Sequence, residues 1–324
     1  MLNQIRGAVL GTAIGDALGM PVESFNPKKI KELYGKITQL EEPRDENPYH
    51  KLHRGQWTDD TQLMIAIMKS LIEKKCIDYD SIALNHVKEL RGARGWGKAT
   101  TNSIERIEQG VKWWAAGEPD AAGNGPPIKI APIGILYGMG TISKLELFTA
   151  VLNISRMTHG DPRAIAAGIL QAWLIGEAIK GGVEGLKSAL GIASYECWHY
   201  EMSLGRDLTE PLHLKLSDED SGIWEMSSQS DEDIRRKFGA SAFVNQSIPF
   251  TYSMVLKYLN EPNEGLVSIV NQGGDADTTG AMAGALFGAA YGMHIFPHEF
   301  TDDLEDREKL INLASLFYNT FKGV

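Results

Sequence analysis

The sequence predicts a mostly helical protein, and three observations carry that prediction. Apolar residues at Leu63, Ile67 and Leu71, with Met64 and Met68 beside them, recur at the 3.6-residue spacing of a helix, and residues 164–179 and 310–321 repeat the pattern. Alternating apolar and polar runs of strand length are scarce, and long β-branched runs closed by turns are absent. Glycine recurs every fourth residue in two places, at Gly7, Gly11, Gly15 and Gly19 and again at Gly280, Gly284, Gly288 and Gly292.

The glycine pattern organises the rest. A glycine inside a helix costs about 1 kcal/mol relative to alanine, so two such series need an offsetting gain. Four-residue spacing keeps them near one face, and a strip without side chains admits a second backbone. The two glycine helices are therefore expected to pack together, joining opposite ends of the chain and gathering the acidic residues near their ends. Between them, 42–55 and the Gly- and Pro-rich 117–132 read as loops. The charged stretch 215–237 reads as an insertion or flexible lid, since 217–220 and 227–233 have little to bury. No linker divides the chain, which predicts one domain over 1–324.

Two stretches invite a membrane reading and neither sustains it. The opening apolar run is interrupted by Asp16 and is too rich in glycine for a signal peptide. Residues 278–296 approach spanning length, but Gly and Ala dominate them and Asp275 and Asp277 stand at their mouth, as suits a core helix. With 324 residues the chain can bury about three-quarters of its extended surface. It needs no disulfides, and Cys76 and Cys197 could form only one. Such cysteine usage is ordinary in a reducing compartment, so a cytoplasmic location is expected. The balance of 32 basic and 42 acidic residues argues against a global grip on nucleic acid. An anionic ligand would be held by local devices such as helix N-termini or metal ions.

Two acidic clusters carry the chemistry. Trp57-Thr58-Asp59-Asp60-Thr61 precedes the helix predicted at 62–73, and Gly273-Gly274-Asp275-Ala276-Asp277-Thr278-Thr279-Gly280 precedes the second glycine helix. Either alone reads as a helix cap, with Thr or Asp accepting from free N–H groups. A cap needs one oxygen, whereas each cluster offers two carboxylates and several hydroxyls. Hard divalent cations such as Mg²⁺ and Mn²⁺ take that donor set. Converging clusters could hold a pair of them about 4 Å apart, clamping substrate oxygens. Cysteine-type zinc sites and H-E-x-x-H patterns are absent.

With these motifs the chain resembles the ADP-ribosylglycohydrolase family. The shared features run nearly end to end: Gly11-x-x-x-Gly15-Asp16-Ala17-Leu18-Gly19 followed by Pro21-Val22-Glu23, then Thr58-Asp59-Asp60-Thr61, Gly123-Asn124-Gly125, Thr158-His159 and the late Gly-Gly-Asp-Ala-Asp-Thr-Thr-Gly. The resemblance implies an all-α orthogonal helical bundle with long loops around a dinuclear Mg²⁺ or Mn²⁺ cleft. It implies Thr58, Asp59, Asp60, Asp275, Asp277 and Thr278 as metal ligands. It further implies hydrolysis of the N- or O-glycosidic bond between ADP-ribose and an acceptor, on a modified protein or a small molecule. Glu23 corresponds to a flap glutamate, and Glu23 and Asp60 are the two candidates for deprotonating the attacking water. Spacing does not choose between them.

Asp16, Trp96, Gly123, Asn124, Gly125 and His159 are the expected substrate contacts. Gly123-Asn124-Gly125 would cradle pyrophosphate, Trp96 would stack on a leaving group or adenine, and His159 would reach phosphate or ribose. Pro126-Pro127-Ile128-Lys129 departs from the small residues and Met-Arg that follow this Asn-Gly in many relatives. No aspartate lies between Ala93 and Asn102, which leaves the acceptor open. Asp161 before Pro162 reads as a helix cap. Two other readings stand beside the hydrolase: a catalytically silent ADP-ribose-binding or structural protein of the same fold, and a two-metal phosphoester hydrolase.

Overall fold

The computed structural model describes residues 1–205, 208–217 and 222–323; their regular structure is helical, and two isolated bridges, Glu118 with His159 and Gly123 with Phe243, stand where a sheet would need ladders. Six helices position the candidate site: α1 (Leu2–Gly19), α2 (Asp59–Lys74), α3 (Gly125–Lys129), α4 (Pro162–Gly191), α5 (Val244–Lys257) and α6 (Ala276–Tyr291).

The two glycine helices, α1 and α6, form the central seam and run antiparallel. A Cβ built on Gly7 would stand 2.1 Å from the Gly288 carbonyl oxygen, on Gly11 2.0 Å from that of Gly284, on Gly15 1.9 Å from that of Gly280 and on Gly19 2.2 Å from that of Ala276. No side chain fits at any of the four. Gly292 falls just past α6 and closes it against Asn3 instead. Every residue of α6 from Ala276 to Ala290 is buried, as expected of a helix that is apolar on all sides. The direction of the seam matters for the site: it sets the C-terminal end of α1 beside the N-terminal end of α6.

Several elements differ from the sequence expectation, each for a local reason. Helix α2 starts at Asp59, earlier than the 62–73 that the spacing predicts, and takes in Asp59, Asp60 and Thr61 of the acidic motif. Helix α4 runs past residue 179 to Gly191, broken at Gly182, where φ is 61°. It is the one described helix long and apolar enough to cross a membrane, and 83% of its apolar window is buried within the protein. The stretch 117–132 contains α3, because Pro126 and Pro127 occupy first-turn positions where a missing N–H leaves no bond unmade. Asp161 does cap α4, accepting the Arg163 N–H at 2.9 Å.

The charged stretch 215–237 is largely helical in its described part, with helices Leu212–Ser217, Ile223–Met226 and Asp231–Phe238. In the last of these, Asp231, Glu232 and Asp233 fill the first turn, and Arg235, Arg236 and Lys237 the last. That order complements the helix dipole, and the Ser230 hydroxyl caps the start by accepting the Asp233 N–H at 3.1 Å. Asp218, Glu219 and Asp220 lie outside the described residues.

Candidate functional site

Antiparallel packing of α1 and α6 delivers Asp16 to the start of α6, and the 58–61 motif is built around it. The fully buried Asp16 carboxylate accepts the Thr58 N–H at 2.9 and 3.0 Å on its two oxygens. It also accepts the Thr61 N–H at 3.1 Å and the Thr61 hydroxyl at 2.7 Å. With the Thr58 hydroxyl at 2.9 Å, four close donors compete with burial, which still pushes its pKa up to about 6. Asp16 thus anchors the turn from behind and does not line the cleft among the described residues.

In front of Asp16 the two acidic motifs converge. Carboxylate oxygens of Asp16, Asp60 and Asp277 lie within 4.8 Å of one another, and so do those of Glu23, Asp275 and Asp277. Asp277 belongs to both groups. The Thr58 hydroxyl oxygen is 2.9 Å from Asp16, 3.2 Å from Asp60 and 3.5 Å from Asp277. The Thr278 hydroxyl lies 3.1 Å from the other Asp60 oxygen. One hydroxyl proton serves one acceptor, so Thr58 cannot satisfy three carboxylates. Neither N-cap residue, Thr58 or Asp275, caps its helix with a side chain, and of the second motif Asp277 accepts the Thr278 N–H at 2.8 Å. Burial raises the pKa of Asp59 and Asp60, and the neighbouring carboxylates raise them further. Burial and then Asp277 push Asp275 up to about 8. Buried oxygens that repel one another, with hydroxyls and backbone N–H groups as their partners, form a donor set suited to hard divalent cations.

Glu23 joins this cluster through backbone geometry. Gly273 and Gly274 both take positive φ, 63° and 78°, and a Cβ would stand 2.0 Å from the Phe25 carbonyl oxygen at the first and 2.1 Å from that of Ala240 at the second. The Gly274 N–H donates to Phe25 O at 2.8 Å and the Ser24 N–H to Gly274 O at 2.7 Å. This pairing lays the 23–25 turn against the second motif, where Glu23 accepts the Ala276 N–H at 2.8 Å. Burial, followed by Asp277 and Asp275, raises the Glu23 pKa.

The carboxylates open into a cleft of about 720 Å³. Glu23, Asp59, Asp275, Asp277 and Thr278 line it, as do Gly123, Asn124, Gly125 and His159. The buried Asn124 gives its side-chain amide to Asp275 at 2.7 Å and its backbone N–H to Ala242 O at 2.9 Å. His159 packs on Gly125, where a Cβ would stand 2.4 Å from its Cε1, and its Nδ1 lies 2.9 Å from the Thr158 hydroxyl. Burial, aided by the charge of Lys129, pushes its pKa down to about 3, so the imidazole is neutral. Trp96 is placed elsewhere. Its indole N–H donates to Gln62 at 3.1 Å and its ring is outside the cleft lining, which takes Gly95 and Gly97 from either side of it. No described residue of 215–237 lines the cleft.

Two residues of the site carry no sequence signal. Tyr49, from the 42–55 loop, lines the cleft beside the carboxylates, and burial with their charge raises its pKa. Lys129 is fully buried, donates to the Thr158 hydroxyl at 2.8 Å, and has its pKa lowered by burial to about 7. A lone tyrosine in a polar loop and a lone lysine after two prolines fit no spacing that would mark them.

The chain is similar to known proteins along nearly its whole length. A protein of Archaeoglobus fulgidus is 31% identical over 322 residues, covering 98% of this chain and 97% of its own. The ADP-ribosyl-[dinitrogen reductase] glycohydrolase of Rhodospirillum rubrum is 28% identical over 309 residues, covering 92% and 89%. A solved structure described as an ADP-ribosylglycohydrolase-related protein complex superposes with a TM-score of 0.75 at 27% identity, covering 98% of each chain. The sequence pattern of the ADP-ribosylglycohydrolase family extends over residues 1–323, and the chain belongs to that family.

Proposed function

We propose that this protein is a metal-dependent hydrolase that releases ADP-ribose by cleaving its glycosidic bond to an acceptor. The observation that carries the reading is the sharing of Asp277 between two groups of mutually close carboxylate oxygens, one with Asp16 and Asp60, the other with Glu23 and Asp275. That sharing supports a reading of two adjoining cation positions, for which Thr58, Asp59, Asp60, Asp275, Asp277 and Thr278 are the ligands that the family resemblance implies. Bound Mg²⁺ or Mn²⁺ would neutralise the cluster and polarise the oxygens of a sugar and a water.

The remaining roles fall to the chain itself. Glu23 lines the cleft whereas Asp60 does not, which supports Glu23 as the group that takes a proton from an attacking water. Its second oxygen is held by the Ala276 N–H at 2.8 Å, which fixes the carboxylate plane. The cleft is of a size for a nucleotide sugar. Asn124, tied to Asp275, and the neutral His159 offer polar contacts without a competing positive charge. Asp16 acts through the 58–61 turn as a positioning residue. The relative named for an ADP-ribosylated dinitrogen reductase supports a modified protein as substrate class, and we place the reaction in the cytoplasm.

The test is a panel of ADP-ribosyl conjugates offered to protein loaded with Mg²⁺ or Mn²⁺, with products identified by mass spectrometry. Free ADP-ribose is the expected product, lost on adding EDTA and lost in Asp60→Ala and Asp277→Ala. Full activity in excess EDTA would rule the metal reading out.

A further inference from the structure

The 42–55 loop delivers Tyr49 into the cleft and fixes it from two directions. The Tyr49 N–H donates to Asn47 Oδ1 at 2.7 Å. The buried Asn47 amide in turn donates to the carbonyls of Met20 at 3.1 Å and Glu23 at 3.4 Å. The turn that carries Glu23 therefore also holds the segment that carries Tyr49.

The ring rests against Gly95. A Cβ at that position would stand 2.3 Å from the phenol oxygen and 2.4 Å from Cε1, so glycine is required for the tyrosine to lie where it does. The loop bearing Gly95 is itself tied down. The Arg94 N–H and the Trp96 indole N–H both donate to Gln62 Oε1, at 2.9 and 3.1 Å, and the Arg94 guanidinium pairs with Glu305. Gln62 sits on α2, immediately after the acidic motif. Tyr49 thus bridges two anchored loops at the carboxylate end of the cleft, near Asp277, Asp59, Glu23 and Asp60. Tyr49 lines the open space, and its hydroxyl makes no hydrogen bond among the described residues.

A rigid aromatic ring with an unspent donor, beside the carboxylates that define the reacting end, bounds whatever group leaves from there. We propose that Tyr49 selects the acceptor: its ring limits the space for the leaving group, and its hydroxyl hydrogen-bonds the atom linking acceptor to ribose, donating to a linking oxygen or accepting from a linking N–H. No proton is transferred by it. The proposal rests on the ADP-ribosyl hydrolase reading above.

The experiment compares wild type, Tyr49→Phe and Tyr49→Ala as full-length, metal-loaded proteins. The probes are ADP-ribosyl-arginine, an ADP-ribosylated serine peptide and free ADP-ribose. Tyr49→Phe keeps the ring, so its melting temperature should match wild type. Its kcat/KM on conjugates should fall about tenfold, the size of one lost hydrogen bond to substrate. Affinity for ADP-ribose, which lacks an acceptor, should stay within about twofold by calorimetry. Tyr49→Ala should shift the ratio of kcat/KM between the two conjugates by about tenfold. Wild-type kcat/KM in Tyr49→Phe on every conjugate would overturn the proposal, as would an equal loss of ADP-ribose affinity. Wild-type protein that releases ADP-ribose from no conjugate would overturn the hydrolase reading itself, and the role of Tyr49 with it.

Discussion

Gly15 and Gly280 meet backbone to backbone, so closely that a Cβ on Gly15 would stand 1.9 Å from the Gly280 carbonyl oxygen and 2.2 Å from its carbon. Main chain cannot step aside as a flexible side chain can. Overpacking a core ordinarily costs about 1–3 kcal/mol, and here both neighbours are rigid. Gly15→Ala or Gly284→Leu should therefore destabilise by more than about 3 kcal/mol, seen as a large fall in melting temperature or as insoluble protein. Gly181, with open space around its missing Cβ, is the control. Gly181→Ala should be neutral, or stabilising by up to about 1 kcal/mol. Equal melting temperatures for Gly15→Ala and Gly181→Ala would contradict the seam.

The carboxylate cluster trades stability for function. Each member is raised in pKa on folding, so ionising it costs folded-state stability. That loss grows as pH rises from the unfolded carboxylate range through about 6 for Asp16 and about 8 for Asp275. Asp60→Asn removes one of the repelling charges at nearly constant shape. In chelator at pH 8 it should melt higher than wild type, by about 1–2 kcal/mol. With Mg²⁺ or Mn²⁺ the order should reverse, since wild type gains more from the cation. A variant that melts lower than wild type in chelator would show that repulsion does not dominate there.

A different group governs the acid side. His86 is 1% exposed and neither ring nitrogen meets a partner in hydrogen-bonding geometry. Burial first, and the charge of Lys129 second, push its pKa from 6.5 down to about 3. The unfolded chain therefore takes up a proton as pH falls below about 6.5, while the folded chain does not until about 3. Stability attributable to His86 is present above that window and lost within it, at about 1.4 kcal/mol per pH unit. His159 contributes with the same sign. Melting curves between pH 7 and pH 4 should fall less steeply for His86→Leu than for wild type. Parallel slopes would exclude the histidine as the cause.

What the sequence disclosed depended on whether a residue advertised its role through repetition. The seam was legible because eight glycines at a fixed interval have a cost that only close approach offsets. The two acidic motifs were legible because each holds more oxygens than a cap requires. Tyr49 and Lys129 were not, since their positions depend on which loops and helices meet, and no spacing records that. The helix Asp231–Phe238 was hidden for the opposite reason. Its charges suggested solvated coil, while their order, acids first and bases last, suited a helix. The resemblance of 94–97 to a cleft-lining loop points Trp96 at substrate, whereas in the structure its neighbours Gly95 and Gly97 line the cleft and its indole N–H donates to Gln62.

The antiparallel pairing of α1 with α6 also bears on when the protein first becomes competent. During synthesis α1 leaves the ribosome with its bare glycine strip uncovered, and its partner emerges only after the segments between them have been made. Asp16 can organise the 58–61 turn early, but Asp275 and Asp277 arrive with the late helix. No nascent fragment short of that point holds the full set of oxygens. Closure of the carboxylate cluster is thereby deferred until the second glycine helix has been made.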